Sequence, residues 1–452
     1  MFFRRKFAWV IAITLALSSS PSLASRYAET QTIPDATIQL YQQGIEQFNR
    51  GQFPEALKTF DRVLKQARKI GDKKLEGTTL TQIGTIYRRL GLYSQAIEFL
   101  EQALAINIAS KDKVNVGITL YNLGQVYERL GQYDRALESF QGALAIAKNT
   151  QNLFLEATTL HNLGQVYDKL ARYDRAIASL QQAIAIHQQT GDRKMEGRTL
   201  NNLGIVYRNL GRYTLSLQTL QQALAISQSV NDKPWKGTIL NNLGSVYVNL
   251  SQYDKAMQAL QQALTLSRDT HNTILEGATL TGIGEVYRSW GEYPKALAFF
   301  QQSLAIYQKT GSKAESGTVL NNIGQVYTTL AQYPQALDAL QQAFAIHQEV
   351  GNRAMLGTTF INLGSVYLNL GQFNKAVAFF KQALTISQEI GDRAKEGITF
   401  NYLGRILARE NQFNEALENF QKALAIFTEI GDRAELAATF NNLDKFICPK
   451  TR

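Results

Sequence analysis

Little in this sequence is suited to bond-making chemistry. Among 452 residues there is one cysteine, Cys448, and there are four histidines, at 161, 187, 271 and 347. A single cysteine excludes an intramolecular disulfide framework and any cysteine-based zinc site. The histidines have no metal-ligand spacing, and neither a glycine-rich phosphate loop nor a nucleophile-elbow motif is present. No catalytic residue, metal or cofactor is therefore expected, and the chain reads as a non-enzyme. Charged side chains make up 19% and only 7 prolines occur, while 45% of residues are hydrophobic. That composition belongs to an ordered chain with little to interrupt helices.

Long apolar runs are also missing. The longest, Phe7 to Leu17, follows Arg4, Arg5 and Lys6 and precedes Ser22-Leu23-Ala24. Such a run covers about 16 Å as a helix, against a hydrocarbon core of about 30 Å. A positive start, a short apolar stretch and a small-x-small site compose a secretory signal peptide, so residues 1–24 are expected to be removed after Ala24. Residues 25–34 read as a linker, 35–447 as the folded part and 448–452 as a tail. The product is expected to be exported, periplasmic or secreted, with no integral membrane span.

Loss of Arg4, Arg5 and Lys6, with no acid in the same segment, lowers the formal charge from +10 to +7. For an exported chain nucleic acid is not the expected partner. Proteins, peptides or an anionic polymer suit the modest excess better.

What is abundant is repetition. From Asp35 to Ile447 the sequence repeats every 40 residues without insertion or deletion. Periods of this size mark stacked units that cannot bury their apolar faces alone. Leu200, Leu203, Gly204 and Tyr207 lie on one face of a first helix, and Leu217, Leu220, Ala223 and Leu224 on one face of a second. The length is thus one solenoid of ten helix pairs plus a closing helix, rather than several globules.

Punctuation agrees. Asp72, Asp112, Asn152, Asp192, Asp232, Asn272, Ser312, Asn352, Asp392 and Asp432 precede the first helices and are residues that cap helix N-termini. Pro54, Pro294 and Pro334 open second helices and Pro234 lies in a first turn, where no N–H is lost. Glycine at 84, 124, 164, 204, 244, 284, 324, 364 and 404 sits mid-helix, at a cost of about 1 kcal/mol each. A cost repeated so regularly implies close packing, expected against the small residue (Ala96, Ala136, Ser216) of the same hairpin. Gln43 and Gln47 at the opening and Asp444 at the close replace apolar or small residues, as terminal units need.

The motifs Leu120-x-x-Leu123-Gly124-x-x-Tyr127 and Ala136-x-x-x-Phe140-x-x-Ala143 make the sequence resemble the tetratricopeptide repeat (TPR) family. The longer unit resembles those of kinesin light chain, Partner-of-Inscuteable-type adaptors and bacterial peptide-pheromone receptors. The resemblance implies an all-α, right-handed TPR α-solenoid. It also implies a concave wall of first helices that binds segments of other proteins.

On that wall Asn122, Asn162, Asn202, Asn242, Asn322, Asn362 and Asn442 recur at one position. The resemblance implies that such asparagines hold the backbone of a bound peptide, and a carboxamide can serve a peptide group as donor and acceptor at once. Two turns further on stand Arg89, Arg129, Lys169 and Arg409, with Arg88, Arg208 and Arg288 beside them. These cations could select acidic side chains or a terminal carboxylate. The same asparagines could instead bond to an adjacent helix and the cations form a solvated face; both readings stand at this point. Two further roles stay open beside a peptide-holding scaffold: a periplasmic scaffold for polysaccharide export or envelope assembly, and a receptor for peptide signals.

Overall fold

The computed structural model describes residues 35–170, 172–430 and 432–447. The signal segment 1–24, the linker 25–34 and the tail 448–452 lie outside the described residues. The described chain is helical throughout. In order the helices are α1 (Asp35–Asn49), α2 (Phe53–Ile70), α3 (Lys73–Arg89), α4 (Tyr93–Ala109), α5 (Lys113–Arg129), α6 (Tyr133–Asn149) and α7 (Leu153–Lys169). They continue with α8 (Tyr173–Thr190), α9 (Arg193–Asn209), α10 (Tyr213–Ser229), α11 (Lys233–Asn249), α12 (Tyr253–Asp269), α13 (Thr273–Ser289) and α14 (Tyr293–Thr310). The last are α15 (Lys313–Thr329), α16 (Tyr333–Glu349), α17 (Arg353–Asn369), α18 (Phe373–Ile390), α19 (Arg393–Arg409), α20 (Phe413–Ile430) and α21 (Arg433–Ile447). Odd-numbered helices are the first helices and even-numbered ones the second, giving ten pairs and a closing helix.

Two compact bodies compose the chain, one ending at Val166 and the other beginning at Tyr167. Within each, a first helix packs on the second helix of its own hairpin, and second helices pack on the next first helix. First helices of successive repeats also touch directly, as α3 does α5 and α15 does α17.

Turns end the helices as the residue types require. Nine of the ten predicted caps accept from the backbone N–H three residues on, at 2.9–3.2 Å. Ser312 makes no such bond; its hydroxyl instead pairs with that of Thr310 at 2.9 Å. Among the described residues, the residue before each cap takes the left-handed conformation. Gly suits it at 71, 191, 311, 351 and 391, but Lys111, Gln151 and His271 adopt it too. Geometry of the turn, fixed by the helices it joins, overrides residue preference there.

The close approach expected at the mid-helix glycines is present. A Cβ on Gly204 would lie 2.7 Å from Leu220, and one on Gly324 2.6 Å from Leu340. The main partner is therefore the large residue one turn beyond the small one. Ala96, Ala136 and Ala256 are nevertheless wholly buried, and Ser216 donates to the Gly204 carbonyl at 2.6 Å. Phe60, Phe140, Phe300, Phe380 and Phe420 fill the hairpin interiors. Burying one such ring stabilises by about 1.5–3 kcal/mol.

Within the carboxy-terminal body the chain also returns upon itself. A Cβ built on Gly211 would lie 3.8 Å from the Cβ of Asp432. One repeat earlier Tyr173 faces Asp392: burial first, then that carboxylate, pushes its phenol upward. Asp392 is more buried than the caps at 72, 112 and 192, with 4% of its surface exposed.

Candidate functional site: the first-helix face

Asn162, Asn242, Asn362 and Asn442, equivalents of position 122, lie on the side of the first helix that meets the preceding first helix. The asparagines there bond across that boundary. Asn162 donates through Nδ2 to the Tyr121 hydroxyl at 3.1 Å. Asn242 donates to Asn201 Oδ1 at 2.9 Å, Asn362 to Asn321 Oδ1 at 3.4 Å, and Asn442 to Asn401 Oδ1 at 2.9 Å. Gln82, which replaces the asparagine, bonds to the buried phenol of Tyr41 in the same manner. Each rung joins a residue to one 41 positions on. Asn122 differs, because its Nδ2 returns to the Ile118 carbonyl at 2.9 Å within its own helix.

Sequence reasoning singled out one side of each rung and missed the other. The signal was available: Asn-Asn dipeptides at 201–202, 241–242, 321–322 and 441–442 place an amide in both columns. Where the pattern fails, a gap opens. Gly282 offers no side chain to Asn241, whose Oδ1 is buried without a partner. Tyr402 closes its own gap by stacking on Phe380, with ring centroids 4.8 Å apart.

A carboxamide has two N–H groups and one carbonyl, so a single rung does not exhaust it. Asn122, Asn162 and Asn362 are buried, whereas Asn202, Asn242, Asn322 and Asn442 are half-buried. Asn362 is engaged twice, since Gln325 Nε2 donates to its Oδ1 at 3.0 Å. The half-buried members keep part of their surface exposed.

The cationic column divides into three kinds. Arg129 and Lys169 are exposed. Arg288 is tied to Glu285 through two nitrogens on one oxygen, at 2.6 and 2.9 Å. Arg208 lies in the field of Asp168, which accepts from Asn209 Nδ2 at 3.0 Å. Burial lowers the affinity of Arg208 for its proton and raises that of Asp168. Arg88 stands apart: burial, then the like charges of Arg89 and Arg129, bring it down to about 10. The column is thus no uniform basic stripe, because chain carboxylates offset two of its members.

Second helices carry the Gln-Gln pairs at 181, 221, 261, 301 and 341 on their exposed sides. His187 and His347 are buried in the second helices, and His347 Nε2 lies 3.4 Å from Asn321 Nδ2. Among the described residues no cluster of three or more His, Cys, Asp or Glu could hold a metal ion, and no helix is long and apolar enough to cross a membrane.

Direct contact between helix hairpins of forty residues, repeated in register with glycine at the crossing, defines a helical-repeat protein of the TPR kind. The chain belongs to the tetratricopeptide repeat family, whose profile matches residues 38–109, 115–189, 196–269, 315–389 and 352–429, with a second profile of that family at 277–310. Solved structures agree on the fold. A Rap protein complexed with competence and sporulation factor is 15% identical with a TM-score of 0.59, over 79% of this chain and 99% of that one. The apo quorum sensor NprR from B. thuringiensis is 13% identical with a TM-score of 0.56, over 78% and 99%. The Rap conjugation gene regulator of plasmid pLS20, in complex with the Phr* peptide, is 14% identical with a TM-score of 0.54, over 78% and 95%. No curated protein matches the chain.

Proposed function

We propose that the protein is a non-catalytic scaffold that holds extended peptide segments of partner proteins along its first-helix faces. The carrying observation is the half-buried carboxamides at 202, 242, 322 and 442, which share one repeat position on four first helices. Adjacent helix axes lie about 8–10 Å apart, and an extended chain advances about 3.3 Å per residue. Where two of them stand in adjacent repeats, as at 202 and 242, one carboxamide would meet roughly every third residue of a bound strand. The complex of one solved protein of this fold with the Phr* peptide supports the reading. Affinity would come from many small contacts in a preformed face rather than from one deep pocket.

The double variant Asn202→Ala/Asn242→Ala is expected to lose peptide capture while its helical circular dichroism is retained. Capture at the wild-type level would remove the carboxamides from the site.

We further propose that this work is done after export, on the grounds of the amino-terminal sequence. The mature protein is expected to begin at Ser25. Amino-terminal sequencing of the native product checks this, and an intact Met1 start would refute it.

A further inference from the structure

We propose that α2 carries a docking ridge for an anionic phospholipid surface, which seats the amino-terminal body on a membrane. The ridge lies on a second helix, apart from the first-helix residues that the scaffold role uses, and does not depend on that role.

Lys58, Arg62, Lys65 and Lys69 follow one another at i, i+4, i+7 and i+11, so they form one line along α2. All four are exposed, and the line is about 16 Å long. Lys65 pairs with Asp61 at 2.6 Å, and the flanking Arg68 and Lys73 both pair with Glu76 at 2.9 Å. Glu55 is the other acid exposed on the helix. Among the described residues no carboxylate lies within ion-pair distance of Lys58, Arg62 or Lys69.

Repetition supplies the control. On every other second helix the equivalent line holds at most one cation. Position 62 is mostly Gln there, as at 102, 182 and 222, and position 65 is Ala or Thr. In α16 the line carries Asp338 and Glu349, and in α20 it carries Glu418 and Glu429. The stacking that all units share therefore does not need these four cations.

Two observations select a bilayer among anionic partners. A polymer lying along the solenoid would meet one unit after another, yet the cations stop at the first. A flat surface meets one exposed ridge, and the four charged heads reach it together. The ridge also lies where the chain begins its fold. Thr37 donates to Gln66 at 2.5 Å, so the start of α1 is beside the Lys65 and Lys69 end of the line. The residues that precede α1 in sequence include Arg4, Arg5, Lys6 and the apolar run Phe7 to Leu17, the segment suited to a membrane. Anionic headgroups attract each such cation enough to multiply binding about fivefold.

The test sediments the native product with vesicles of phosphatidylcholine, with and without phosphatidylglycerol, at low and at physiological ionic strength. Phosphatidylglycerol should raise binding, and salt should weaken that gain. Arg62→Gln/Lys69→Gln installs residues that the fold already accepts at 222 and 189. It should lower partition onto phosphatidylglycerol vesicles about twentyfold, with helicity and peptide capture unchanged. Lys309→Gln/Lys381→Gln removes the same charge from α14 and α18 and should leave partition as it was. Equal binding to both vesicle types, wild-type partition in Arg62→Gln/Lys69→Gln, or the same loss in Lys309→Gln/Lys381→Gln overturns the ridge and leaves the scaffold role standing. Retention on immobilised polygalacturonate without vesicle binding also overturns it, and would assign the four cations to a polymer.

Discussion

His347 shows how much one buried residue decides. It packs over Gly317, where a Cβ would come within 2.6 Å of its ring, and its Nδ1 has no side-chain partner. Burial holds its proton affinity below the ordinary value near 6.5. The unfolded chain then binds more protons as pH falls through about 6.5, so stability is full above that value and declines below it. His187, also buried and shifted the same way, adds to the slope. At the equivalent position Phe427 packs over Gly397 with no exposure at all, so the fold accepts a ring without nitrogen. His347→Phe is expected to flatten the fall in melting temperature between pH 7 and 5. An unchanged pH profile would show that this imidazole stays uncharged or solvated in both states. The glycine below it was legible as a close approach. The histidine above it was not, because its repeat partners are serine, tyrosine and phenylalanine at 227, 307 and 427. What that site conserves is burial, not chemistry.

Helix boundaries were the most readable elements, because a capping side chain acts locally. Ser312 is the exception that can be tested. Its hydroxyl is spent on Thr310, so α15 begins without the bond that Asp192 or Asp392 provides. Ser312→Asp is expected to stabilise by about 0.5–1 kcal/mol, from the restored cap and the favourable charge at a helix start. Urea unfolding would measure it, and no gain would mean that the turn cannot present the side chain. The rungs between first helices were half legible for the opposite reason. A bond between residues 41 apart depends on two columns facing each other, and periodicity reports a face without saying which neighbour it meets. Asn442, read as a groove residue, spends its Nδ2 on Asn401, and only the packing of α19 against α21 shows that.

At the scale of the whole molecule, stability is a sum of like terms: each hairpin plus its interface with the next. Removing residues 273–312 in register should therefore preserve helicity per residue while reducing the denaturant dependence of unfolding, which follows buried surface. Collapse of the circular dichroism signal would show that distant repeats depend on one another. The return contact in the carboxy-terminal body gives a second readout. The 3.8 Å between a Cβ at 211 and that of Asp432 matches the separation in a disulfide, about 3.8 Å. With Cys448→Ser as background, the pair Gly211→Cys/Asp432→Cys should close under oxidation in the full chain and stay open in the shortened one.

That meeting point has a consequence for inheritance. Tandem copies so alike invite slippage when they are duplicated, and a simple stack would tolerate a gain or loss of one. Here a copy lost between Gly211 and Asp432 would bring Asp432 beside Tyr173, leaving Gly211 with nothing opposite. The protein thereby carries its own tally, much as a nut seats only on a thread of the right pitch.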